Sequence, residues 1–155
     1  MQVYFSHSYR DVSVNSYFLE HFVNEDLSLL ADQKTDVWCI SKLERYLSEI
    51  VGFVSIIPRR PTADDPVGYS PYIGRELDLA RRARVTRLLF VDDQVLNHHK
   101  DDFPDDAVGF PSDSPAEFES IHREAIQKFR TTLETRARRR RRPEKPTLPE
   151  RPKAT

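Results

Sequence analysis

A glutamate, Glu76, stands in the stretch "YSPYIGRELDLARRARVTRLLFVDD" (Tyr69 to Asp93), which reads as a helix running into a buried strand. It lies about one and a half turns into that helix, and helical side chains tilt back towards the N-terminus, so its carboxylate points at the rim where the preceding strand ends. A carboxylate at such a rim can stabilise a developing positive charge or accept from ribose hydroxyls. Other polar segments share the rim: "SHSYRD" after the first strand, "DQKTDVW" after the second and "PRRPTADDPVGY" after the third. Ser6, Ser8 and the backbone entering the first helix suit a phosphate, helped by the helix dipole and by Arg10. Tyr9 and Trp38 offer faces on which a base or a nicotinamide ring could stack. Asp32 joins Glu76 as an acceptor for ribose hydroxyls. His7 lies in the first loop within reach of a ligand, and Ser70 enters the glutamate helix, so both complete the candidate set.

Each residue also has a plainer role. Glu76 suits a surface position paired with Arg75 or Arg82, Ser6 and Ser8 suit helix entry, His7 a hydrogen-bonded structural place, and Trp38 a core or interface. Cys39 has no paired base in sequence and reads as a small buried residue. His98 and His99 are adjacent, and adjacent side chains face different ways, so the pair is not read as a metal site.

The elements that must position these residues alternate. "VYF" (Val3 to Phe5) is a short strand, and the following helix, capped by Asp11 or Ser13, carries Val14, Phe18 and Phe22 on its inner face. "LSLLA" (Leu27 to Ala31) reads as a second strand. Leu43, Leu47 and Ile50 mark a second helix from Ser41, and "GFVSII" (Gly52 to Ile57) is a third strand, apolar enough to be covered on both faces. Ser70 caps and Pro71 opens the next helix, whose inner face is Ile73, Leu77 and Ala80. "RLLFV" (Arg87 to Val91) is a fourth strand, an acidic loop follows, and "AVGF" (Ala107 to Phe110) reads as a short fifth. Phe118, Ile121, Ala125, Phe129 and Leu133 mark the last helix. Strands alternating with helices imply right-handed crossovers and a parallel sheet of four to five strands, an α/β fold.

At 155 residues the chain suits one domain. Residues 136–155 hold nine Lys or Arg and two Asp or Glu, a net of +7, which leaves −8 to residues 1–135 in a chain whose total is −1. We therefore expect an acidic domain over 1–135 and a basic, proline-rich disordered tail or linker over 136–155. An acidic body argues against a nucleic-acid reader, leaving that role to the tail. The single cysteine allows no internal disulfide. The apolar stretch "FVSII" falls far short of the ~20 residues of a membrane span, so a soluble, cytoplasmic protein is expected. No glycine-rich fingerprint is present, which argues against a hydride-transferring Rossmann enzyme.

Two segments carry a resemblance. "VYFSHSYRD" resembles the opening strand and loop of Toll/interleukin-1 receptor (TIR) domains, and "YSPYIGRELDLA", with "RLLFVDD" after it, resembles their glutamate-bearing helix and next core strand. The likeness runs from Val3 to Asp93. Ile73 or Gly74 stands where the family has a cysteine, and its glycine-rich loop after the second strand has no counterpart in "QKTDVWCIS". The resemblance implies a flavodoxin-like three-layer sandwich with strand order 2-1-3-4-5. In bacterial and plant members it implies cleavage of NAD, as substrate rather than cofactor, at the nicotinamide-ribose bond. The catalytic glutamate then falls on Glu76 and the substrate-lining loop on Ser6 to Arg10. It further implies activation by self-association, often in antiviral defence, with a further domain or partner protein. A second family is similar over nearly the same span: nucleoside deoxyribosyltransferase-like proteins, through "SKLERYLSEIVGFVSI". A non-catalytic TIR-type interaction module is the second expectation, and a nucleoside or nucleotide N-glycosidase of the deoxyribosyltransferase type the third.

Overall fold

The computed structural model describes residues 1–31 and 39–141. Five parallel strands, β1 (Gln2–Ser6), β2 (Ser28–Leu30), β3 (Gly52–Ile57), β4 (Thr86–Asp92) and β5 (Val108–Phe110), form one sheet in the order β2-β1-β3-β4-β5. The helices are α1 (Val12–Asn24), α2 (Ile40–Glu49), α3 (Pro71–Arg82), α4 (Asp93–His98) and α5 (Glu119–Arg141). The fold is the expected flavodoxin-like three-layer sandwich. Strand period 2 sorts the side chains between its two cores. Val3, Phe5, Val54, Ile56, Leu88, Phe90 and Phe110 pack against Val14, Phe18 and Phe22 of α1 and Ile126, Phe129 and Leu133 of α5. Tyr4, Phe53, Ile57, Leu89 and Val91 pack on the other face against Leu43 and Leu47 of α2, Ile73, Leu77 and Ala80 of α3, and Val95 of α4. All six residues of β3 are buried, because helices cover both of its faces.

Several elements depart from expectation for visible reasons. β2 is trimmed to three residues, with Leu27 packed as core ahead of it. α4 occupies ground expected as loop; it has one and a half turns, too few for an apolar period, and is held by the Asp92 carboxylate, which accepts from the backbone N–H of Gln94 and Val95. Phe118 and Ile121 are exposed rather than core. Phe118 ends a 3-10 turn ahead of α5, and the buried stripe of α5 is His122, Ile126, Phe129 and Leu133, with Ala125 packed at its margin. α5 also continues through Arg141, six residues into the basic segment expected as disordered. Arg136 there donates to the Thr86 hydroxyl at the start of β4. The rest of the tail, 142–155, lies outside the described residues. Among the described residues no helix is long and apolar enough to cross a membrane.

Gly52 opens β3 beneath α5. A Cβ there would stand 2.8 Å from Phe129 Cζ, 3.0 Å from Leu133 Cδ2 and 3.2 Å from Val3 Cγ1. These are packed core atoms that cannot swing into solvent, so Gly52→Ala is expected to destabilise the fold by about 1–3 kcal/mol. Urea denaturation checks this, and an unchanged midpoint would show that the α5 face yields freely.

Candidate active site

Three facts of the sheet converge on one place. Chain order reverses between β1 and β3, because β1 has β2 on one side and β3 on the other, and such a switch point opens a crevice at the carboxyl ends of the strands. Ser6, the last residue of β1, is in register with Ser55 of β3. Tyr4, Ser6 and Ser55 all point to the α2/α3 face, since Val3, Phe5 and Val54 occupy the other.

α3 brings the carboxylate to this place. Ile73, Glu76, Leu77 and Ala80 are its buried residues, at spacings of three, one and three, so Glu76 belongs to the inward stripe and takes a position an apolar side chain would normally fill. It is 7% exposed. Its setting is therefore the interior rather than the surface. The Tyr4 hydroxyl donates to Glu76 Oε1 at 3.2 Å, the Ser6 hydroxyl donates to Oε2, and the Ser55 hydroxyl donates to Ser6 Oγ at 3.3 Å. The chain Ser55 to Ser6 to Glu76 runs inward across the strands and fixes the carboxylate on the sheet.

The first loop frames the entrance. His7 stacks on Phe5 with ring centroids 4.6 Å apart, and its Nδ1 bonds the Phe5 carbonyl at 3.2 Å. A carbonyl only accepts, so Nδ1 carries the proton and Nε2 is the acceptor. Tyr9, exposed, meets the His7 ring edge-on at 5.0 Å. Ser8 accepts from the Arg10 backbone N–H at 3.4 Å, and the Arg10 side chain is exposed. Ser70 is the N-cap of α3 through its carbonyl, which accepts from Gly74, while its hydroxyl makes no capping bond. Asp32 and Trp38 lie outside the described residues.

Arg60, a residue the sequence did not single out, organises the loop. Its guanidinium donates to Ser8 Oγ at 2.9 Å and to Asp11 Oδ2 at 2.6 Å, tying the loop after β3 to the loop after β1. This explains why Asp11, the N-cap of α1, makes no side-chain cap: its carboxylate serves a charge-assisted bond instead. Asn15 Nδ2 donates to the Ser8 carbonyl at 2.7 Å, and its buried Oδ1 lacks a partner among the described residues, so it can receive a ligand donor. The one signal for Arg60 was its place in a polar loop at a strand end. Tyr4 and Ser55 were hidden inside strands read for their apolar content.

Compared with known families and characterised proteins, the chain matches no family model and no curated protein.

His7 and His122 set a pH response. Burial lowers the pKa of His7 against a smaller opposing effect of its Phe5 bond. Burial likewise lowers that of His122, which has no exposed surface. His122 Nε2–H donates to the Gly109 carbonyl at 3.2 Å and Nδ1 accepts from the Tyr17 hydroxyl at 2.9 Å, so the neutral ring is fully satisfied. The folded state binds fewer protons than the unfolded chain just below pH 6.5, so this stability is complete above about 6.5 and is lost as pH falls through it. Asp93, raised by burial and by Asp92, acts in the opposite sense nearer the carboxylate range. The urea midpoint is expected to be lower at pH 5.5 than at pH 7.5, and a midpoint flat across that window would contradict neutral, buried rings.

Proposed function

We propose that this protein is a TIR-like enzyme that cleaves NAD at the nicotinamide-ribose bond. What carries the proposal is Glu76: a carboxylate inside an apolar layer, at the switch point of the sheet, held by the hydroxyls of Ser6 and Tyr4. In the reaction the C1′–N bond breaks and its electron pair returns to the nicotinamide ring, which leaves neutral without a general acid. The ribose carbon passes through an oxocarbenium-like state, and Glu76 stabilises that charge and orients the 2′ and 3′ hydroxyls. Water then bonds to C1′ and gives up its proton, forming ADP-ribose; attack by the adenine ring of the same nucleotide forms a cyclic product instead. Ser8, Arg60 and the start of α1 form the phosphate end of the site, and Tyr9 the stacking face.

The same reading includes activation by self-association. Val12, Leu19 and Val23 are exposed along α1 at helical spacing, which supports a surface that another copy covers. Tyr4 supports a second reading, an N-glycosidase of the deoxyribosyltransferase type. A hydroxyl on one carboxylate oxygen orients the other for attack on a sugar carbon, so Glu76 would serve as a nucleophile on a nucleoside.

Nicotinamide release from NAD by concentrated protein is expected to fall about 10²-fold or more in Glu76→Gln. The variant's circular dichroism controls for folding. Equal release by both proteins would remove Glu76 from the chemistry. Release by neither, with a base freed from deoxyribonucleosides, would select the second reading; no cleavage of either substrate would leave an interaction module.

A further inference from the structure

We propose that Asp65, His98 and His99 bind one divalent transition-metal ion of the zinc and nickel class, which ties the loop after β3 to the end of α4. A nitrogen from each histidine and a carboxylate oxygen of Asp65 all lie within 4.8 Å of one another. Adjacency alone suggested that the two rings diverge. They converge because α4 ends between them: His98 is its last residue, and His99 leaves the helix at φ −113 and ψ 38, which swings its ring round to stand 5.1 Å from that of His98.

The bonding around His99 favours an ion over a plain ion pair. Asp65 Oδ2 stands 2.9 Å from Nε2, and Asp102 Oδ2 faces Nδ1 at 3.6 Å. An imidazolium clamped between two carboxylates would aim its Nε2–H along the line to Asp65. Yet Nε2 is buried and makes no hydrogen bond among the described residues, so at 2.9 Å the oxygen lies off the N–H axis. An off-axis oxygen at that separation is where a second ligand of a shared ion belongs. Two atoms each roughly 2.0–2.1 Å from one metal are about 2.9 Å apart at the ~90° angle of an octahedral or square site and about 3.3 Å apart at the tetrahedral angle of zinc, so the observed separation is within a few tenths of an ångström of either.

The surroundings complete such a site. The Asp102 carboxylate stands beside Nδ1, the place an outer carboxylate takes when the other ring nitrogen holds a metal. Tyr69 in turn donates to Asp102 at 3.3 Å. Asp65 is held in place by its own turn: Oδ1 accepts from the Val67 N–H at 3.0 Å and its N–H donates to Thr62 Oγ1 at 3.0 Å, which leaves Oδ2 directed at His99. Two imidazoles and one carboxylate suit borderline transition cations and not calcium or magnesium, which take oxygen ligands. His98 is exposed, so water can fill the other positions. The loop that Asp65 anchors also carries Arg60, and an ion here would steady both.

The test is calorimetric titration of the untagged full chain with zinc and nickel chloride, beside His98→Ala and Asp65→Asn, each checked for native circular dichroism. One ion per chain is expected, bound at least about tenfold more weakly in either variant. His98 is exposed at a helix end, so its truncation leaves the core intact. No saturable binding of either ion, or the same affinity in all three proteins, would overturn the proposal. The outcome does not depend on whether NAD is cleaved.

Discussion

The parallel pairing of β1 with β3 is the constraint from which the site follows. Four residues of each strand lie opposite one another, from Val3 with Gly52 to Ser6 with Ser55. With β2 on the outer side of β1, this pairing makes the next crossover run to the opposite edge, and the reversal opens the crevice. The same register lays Ser6 against Ser55 and places both on the face that α3 covers. A slip of one residue would turn Tyr4 and Ser6 away from Glu76 and bring Val3 and Phe5 to it. Gly52 permits the pairing, since α5 presses its Phe129 ring against the first residue of β3.

Within that frame Glu76 poses an energetic problem that its neighbours solve. A carboxylate inside an apolar layer loses hydration, and only donors can compensate it. Tyr4 and Ser6 supply hydroxyls from β1, and Ser55 braces Ser6 from β3. An apolar side chain in the same stripe, flanked by Ile73, Leu77 and Ala80, would need none of these arrangements. The hydroxyls of Tyr4 and Ser6, with Ser55 behind Ser6, are how the fold accommodates a buried acid at its switch point.

What could be read from the sequence was whatever has a period. The stripes of α1 and α3 were legible because three or four apolar residues recur at helical spacing, and β3 and β4 because both faces of each are covered. The position of Glu76 beside such a stripe was legible too, and only its inward direction needed the structure. α4 was not legible because it is short and begins with the capping carboxylate of Asp92, in a stretch that composition marks as loop. The face of α5 was read correctly at Phe129 and Leu133 and misread by one residue at its start, where the pattern took Ile121 and the buried position is His122. Arg60 was not legible at all: its partners Ser8 and Asp11 are some fifty residues away, and nothing local marks an arginine that will cross between two loops.

The histidines show how the same side chain is closed in one place and open in another. His122 has both nitrogens occupied by groups of fixed polarity: the Gly109 carbonyl can only accept, so Tyr17 must donate, and the neutral ring packs in the core like an apolar residue. His99 has a carboxylate near each nitrogen, and the one near Nε2 is not aligned to receive a proton. Negative charge on both sides of the ring favours a positive charge between Nε2 and the Asp65 carboxylate. The turn that fixes Asp65 holds its oxygen off the Nε2 axis, which is the placement a second ligand of a shared cation takes.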